Sequence, residues 1–188
     1  MIKIGITGSL ASGKTTASKI LSKGRGPLFS ADRIVRDLYQ SEKFKLLIRQ
    51  KLQINNHNRL KEVLKKFIFK SSKNINKLEK IIHPFVRKKM KAFSIKNKKK
   101  SALFYEIPLL IESNLMDFFS VIIFIKANRK IRLRRFKLKG GEEKLFNLLN
   151  NNQISDNRKI KFCDYVVTNE KNLKTLKKNL INIISKYE

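Results

Sequence analysis

Lys14 and Thr15 close the stretch Gly8-Ser9-Leu10-Ala11-Ser12-Gly13-Lys14-Thr15, which fits the pattern G-x-x-x-x-G-K-[ST] without a mismatch. The chemistry open to such a stretch is phosphate binding. Gly8 and Gly13 let the backbone curl until successive N–H groups point into one concavity, an anion nest backed by the positive end of a helix dipole. Lys14 would reach the β- and γ-phosphates of a nucleotide, and the Thr15 hydroxyl would be a ligand of Mg²⁺. The pattern carries weight only between a strand and a helix. Ile2-Lys3-Ile4-Gly5-Ile6 is a short alternating run that reads as a strand, and from Thr16 to Lys23 the apolar Ala17, Ile20 and Leu21 fall at helical spacing. A plain glycine turn before a surface helix is the competing reading, and this order disfavours it.

Phosphorylating a hydroxyl also requires a carboxylate that orients the hydroxyl and takes its proton. Acids are scarce here, 14 against 44 Lys and Arg, so position can sort them. Asp32 follows a short predicted strand, Leu28-Phe29-Ser30, and is the candidate base; the alternative is that it caps the helix that follows. Glu106 and Glu112 flank the end of a third predicted strand. Glu106 either supports Mg²⁺ through water or ends the strand, and Glu112 either lines an acceptor pocket or lies on the surface. The basic run Arg129, Arg132, Arg134, Arg135, Lys137 and Lys139 could stabilise the charge that spreads over a transferring phosphoryl group, as a lid hinged at Gly140-Gly141. A solvated basic helix accounts for the same charges one by one.

These residues need a frame. Further strands are expected over Ala102–Ile107, Val121–Ile125 and Phe162–Thr168, the fourth being a five-residue apolar run typical of a buried parallel strand. Between the second and third strands, from about Ser41 to Phe93, the pattern is almost wholly helical. Leu60, Val63, Leu64, Phe67 and Ile68 form one stripe, Ile75, Leu78 and Ile82 continue it, and Pro84 is expected to open a new helix carrying Val86, Met90 and Phe93. Asn128 to Arg158 reads as helix, and Leu173, Leu176, Leu180, Ile183 and Ile184 as a closing amphipathic helix. Alternation of strands and helices predicts an α/β fold, a five-stranded parallel sheet covered on both faces, with ligands beyond the carboxyl ends of the strands.

Composition bounds the rest. A chain of 188 residues with 41% hydrophobic residues is sized for one domain, and it has no apolar run of membrane-spanning length. The first strand runs straight into the glycine loop, so no signal peptide is expected. One cysteine, Cys163, excludes a disulfide framework, and with only His57 and His83 a Cys/His zinc site is implausible. The expected compartment is the cytoplasm. The formal charge of +30 suggests either a nucleic-acid binder or the Lys-, Ile- and Asn-rich composition of a strongly AT-biased genome. The lysines are scattered rather than gathered in a stripe, which favours composition. No specific nucleic acid and no membrane partner are expected, and a monomer or weak homo-oligomer is.

At this point the residues resemble a known family, the dephospho-CoA kinases, in six motifs that run in order along the chain. They are Ile4-Gly5-Ile6-Thr7-Gly8 leading into the glycine loop; Ala31-Asp32 with Arg36; Ile81-Ile82-His83-Pro84-Phe85-Val86; Pro108-Leu109-Leu110-Ile111-Glu112-Ser113; Gln153 with Lys159; and Cys163-Asp164-Tyr165-Val166-Val167-Thr168-Asn169. The resemblance implies a P-loop kinase fold and transfer of the ATP γ-phosphoryl group to the ribose 3′-hydroxyl of dephospho-CoA, with Mg²⁺. It implies a core of residues 1–36, 101–127 and 159–188, an acceptor-binding helical insertion at 37–95 and a lid at 128–158. Asp32 is then the base, with Lys14 also catalytic. Gly8, Ala11, Ser12, Gly13, Lys14, Thr15 and Thr16 bind ATP together with Arg135 and Asn169, the latter near the adenine. His83, Arg87 and Glu112 join Asp32 on the acceptor side. Relatives often carry an acid two residues before the base, where this chain has Ser30, and two lid arginines spaced by four, where it has Arg135 and Lys139, with Arg134 an alternative first member. A nucleoside or nucleotide kinase on the same scaffold is the rival within kinases; a basic P-loop NTPase acting on nucleic acid is the rival outside them.

Overall fold

Five parallel strands alternate with helices, in the spatial order β2-β3-β1-β4-β5. The structure is a computed structural model describing residues 1–54 and 60–187; His57 lies outside them. The strands are β1 Ile2–Gly8, β2 Leu28–Ser30, β3 Ala102–Glu106, β4 Val121–Lys126 and β5 Tyr165–Thr168. The helices are α1 Lys14–Ser22, α2 Ala31–Leu38, α3 Glu42–Lys51, α4 Leu60–Lys70, α5 Ser72–Lys96, α6 Arg129–Leu138, α7 Glu143–Asn152, α8 Asp156–Ile160 and α9 Leu173–Ile184. The expected α/β class and strand count hold.

The chain forms two compact units, one of residues 1–31 and 93–188, the other of residues 32–92. In the first, β1 lies at the centre, pairing with β3 from Ile2 opposite Ala102 to Ile6 opposite Glu106, and with β4 from Ile4 opposite Val121 to Gly8 opposite Ile125. Alternation within the strands divides its core. Ile4, Ile6, Phe104, Ile123 and Ile125 meet Ala17 and Leu21 of α1 and Leu176, Leu180 and Ile184 of α9 in one cluster. The last three fall at i, i+4 and i+8, one stripe of a helix. The ring of Tyr105 lies within 5.4–5.8 Å of those of Phe29, Phe93, Phe118 and Phe119, and its hydroxyl hydrogen-bonds Ser94 Oγ at 2.6 Å. Burying that polar tip requires the partner.

The second unit is helical. Phe44 packs edge-on to Tyr39 and Phe85, and Ile48, Leu60, Leu64, Ile75, Ile82, Val86 and Met90 are buried. One expectation is corrected here. Pro84 does not open a helix; it sits inside the continuous 25-residue α5. An interior proline costs about 3 kcal/mol. Ile75, Ile82, Val86 and Met90 lie buried along that one helix. At about 1.5–3 kcal/mol for each buried side chain, they outweigh the proline.

A second correction concerns β5, which starts at Tyr165 rather than Phe162. Phe162 N–H donates to Lys159 O and Cys163 N–H to Ile160 O, finishing the helical turn. Asp164 begins the pairing with β4, its N–H donating to Ile122 O and its carboxylate accepting from Ile122 N–H at 2.7 Å.

Candidate active site

The loop between β1 and α1 has the backbone of an anion nest. Gly8 has φ +148°, Ala11 +59° and Gly13 +98°. A Cβ on Gly8 would strike the Ile125 carbonyl, and one on Gly13 the Asn169 side-chain amide. Both positions therefore need glycine for space as well as for φ. Ala11 has no such licence and holds its left-handed conformation at a cost of order 1 kcal/mol or more. Ser12 is fully buried and its Oγ has no hydrogen-bond partner among the described residues. An orphaned hydroxyl inside such a loop suits an anionic oxygen. Lys14 is 7% exposed, its ammonium donating to Ser9 O at 2.9 Å, folded over the loop it would serve.

Thr15 is exposed on the first turn of α1, and its hydroxyl donates to Glu106 Oε1 at 2.5 Å. Glu106 is almost fully buried at the end of β3, opposite Ile6 on one side and Ser30 on the other. A hydroxyl and a carboxylate beside a phosphate nest are hard oxygen donors of the kind Mg²⁺ takes together with substrate phosphates and water. The residues present thus fit the ion, although no group of three His, Cys, Asp or Glu side chains suited to a metal occurs among the described residues.

The segment from Asn128 onward reaches the same loop. Asn128 caps α6, accepting from the N–H groups of Lys130 and Ile131. That orients the helix so that Arg135 Nη1 donates to Ser12 O at 3.3 Å, where Asn169 Nδ2 also donates, at 2.8 Å. Arg135 and Asn169, two of the expected nucleotide residues, are therefore brought to the loop. Arg134 and Lys139 are exposed, and Arg134 lines a surface groove with Lys130, Leu133, Lys137 and Leu138. Thr16 is exposed on α1.

Glu112 stands in the turn after Pro108. Its Oε1 lies 2.6 Å from Nζ of the fully buried Lys159 of α8 and accepts from Ile154 N–H at 3.3 Å. The contact with Lys159 lacks hydrogen-bond angles, so charge attraction holds it, and Glu112 Oε2 has no hydrogen-bond partner among the described residues. The pair ties the turn after β3 to the end of the 128–158 segment. Breaking one side of such a buried pair costs several kcal/mol.

In the helical unit, Asp32 is exposed in the first turn of α2, where an acid favours the helix dipole. His83 and Arg87 stand one turn apart on α5, His83 half-buried and Arg87 exposed. Burial, and then the nearby Arg87 guanidinium, lower the His83 pKa from its ordinary 6.5. The folded chain therefore favours the neutral ring: stability is fully present above about pH 6.5 and is lost as pH falls through that value toward the lower folded midpoint. In an NMR titration, the His83 ring resonance, assigned by its loss in His83→Gln, should show a midpoint below 6.5 that rises in Arg87→Gln. A midpoint at or above 6.5 would overturn this.

Residues 2–175 match the family model described as dephospho-CoA kinase. The chain is 32% identical to the dephospho-CoA kinase of Bartonella quintana, covering 96% of this chain and 95% of that one. It is 29% identical to the Rickettsia bellii protein of the same name, covering 100% and 98%. Among solved structures, a Thermus thermophilus protein superposes with TM-score 0.78 at 24% identity, covering 98% and 97%. The dephospho-CoA kinase of Campylobacter jejuni does so with TM-score 0.66 at 22% identity, covering 98% and 96%.

Proposed function

The chain belongs to the dephospho-CoA kinase family, and we propose that it phosphorylates the ribose 3′-hydroxyl of dephospho-CoA with ATP, giving CoA and ADP. The observation that carries this reading is the loop Gly8–Thr15, with its left-handed backbone turns, its orphaned Ser12 hydroxyl and the Lys14 ammonium held over it. Ala11 and Gly13 present N–H groups to the β- and γ-phosphates, and Ser12, whose N–H donates to Ser9 O, offers its hydroxyl; Gly8 gives the approach and Thr16 continues the helix start. Lys14 leaves Ser9 O for the phosphates when nucleotide binds. Arg135 supplies a guanidinium from the lid, and Asn169 stands on the adenine side. Thr15, with Glu106 behind it, would hold Mg²⁺, which when bound neutralises charge on the phosphate oxygens.

On the acceptor side, Asp32 takes the proton of the attacking hydroxyl. The helical unit binds dephospho-CoA, with His83 and Arg87 toward the acceptor and Glu112 helping through the turn it braces. A neutral His83 can accept a hydrogen bond from a sugar or amide group while Arg87 faces phosphate. None of the described helices is long and apolar enough to cross a membrane.

The test is a coupled ADP-release assay with ATP and Mg²⁺, with and without dephospho-CoA, and identification of the product by mass. Acceptor-dependent ADP release with CoA as product is expected. Folded protein that binds ATP but makes no CoA would overturn the reading and turn attention to nucleoside acceptors.

A further inference from the structure

Ala11 occupies a conformation that L-residues avoid, so something must hold it there. Three polar groups just before it in the loop are engaged from the segment after β4. Leu10 O accepts from Arg132 Nη1 at 3.4 Å, Leu10 N–H donates to Gln153 Oε1 at 3.3 Å, and Ser9 Oγ donates to Asp156 Oδ1. Arg132 is itself fixed. It is 6% exposed, its Nε donates to Ala127 O at 3.0 Å and its Nη1 to Asn150 Oδ1 at 2.8 Å, and its guanidinium lies 5.7 Å from the Phe146 ring centroid. One rigid fork thus joins the end of β4, helix α7 and the glycine loop.

The contact with Leu10 O has a specific consequence. The Leu10 carbonyl and the Ala11 N–H lie on opposite edges of one planar peptide group. Holding the oxygen toward Arg132 aims the N–H the other way and keeps φ of Ala11 positive. A flip of that peptide would turn a carbonyl oxygen toward the phosphates and remove a donor from the nest. We infer that Arg132 is a positioning residue for the nucleotide site, fixing the Leu10–Ala11 peptide so that the Ala11 N–H faces the phosphates. The inference rests on the reading of Gly8–Thr15 as the ATP site. Arg132 acts on a loop carbonyl, not on the nucleotide.

Nucleotide binding and turnover are measured separately for Arg132→Ala and Arg132→Lys, with thermal melting to establish folding. Arg132→Ala is expected to weaken binding of a fluorescent ATP analogue about tenfold or more and to leave KM for dephospho-CoA within about twofold. Arg132→Lys, which keeps a donor, should recover part of the loss. Unchanged analogue affinity in folded Arg132→Ala, or equal weakening toward both substrates, would overturn the assignment, equal weakening being the mark of a merely structural residue. If Arg132→Ala does not fold, Asn150→Ala decides, since it removes the acceptor that orients the guanidinium. A nucleotide-selective loss of about threefold is expected there, and unchanged affinity would sink the idea. Because analogue binding does not require phosphoryl transfer, wild-type protein that binds ATP but makes no CoA would count against the proposed activity and not against Arg132.

Discussion

Asp32→Asn should lower kcat about 10²–10⁴-fold, the range for loss of a general base, while binding of ATP stays close to wild type. Asparagine keeps the size of the side chain and an oxygen that can orient a hydroxyl, but it cannot take the proton. The residue also has a structural use. As the acid in the first turn of α2 it favours the helix dipole, an effect of about 0.3–1 kcal/mol at an exposed site. That would show as a small shift in melting temperature and would not touch kcat. Measuring both on one preparation separates the two roles. Low turnover with intact folding and nucleotide affinity assigns the base; near-normal turnover removes Asp32 from the chemistry and leaves it a helix-end residue.

The phosphate end of the site was legible in the sequence because local chemistry dictates it. A turn with left-handed backbone between a buried strand and a helix needs glycine at Gly8 and Gly13, and few other residue types tolerate those positions. The parallel sheet was legible for a similar reason, since Val121–Ile125 is apolar on both faces. What failed were questions that long-range packing decides. Pro84 looked like a helix start because proline is favoured there, yet apolar side chains on both sides of it carry α5 through. Phe162 and Cys163 looked like strand until the turn closing α8 claimed their N–H groups. The pairing of Glu112 with Lys159 spans 47 positions, and spacing alone gives no sign of it. Arg132 is a different case. Sequence placed it among interchangeable lid cations, although it stands three positions before Arg135, so the two share a helix face, and this signal could have singled it out.

That same face decides which lid cation serves the chemistry. Arg135→Ala should lower kcat about 10²–10³-fold, the scale for one charged donor to a transferring phosphoryl group, whereas Arg134→Ala and Lys139→Ala should each stay within about twofold, as exposed substitutions away from a site do. Successive helical residues differ by about 100° around the axis, so Arg134 points well away from the face that Arg132 and Arg135 share. Arg135 already touches the loop at Ser12 O, while Arg134 and Lys139 are solvent-exposed. Lysine at position 135 should restore little, because a single ammonium cannot contact two oxygens as a planar guanidinium does. The kinetic pattern matters as much as the size. A donor used mainly in the transition state lowers kcat and kcat/KM together and leaves KM for ATP nearly unchanged. Arg132→Ala, acting through the loop, should instead weaken nucleotide binding itself. If Arg134→Ala proved as damaging as Arg135→Ala, the lid would reach the phosphates by another face; if Lys139→Ala did, it would reach them from one turn further along the same face; in either case the contact of Arg135 with Ser12 O would be structural only.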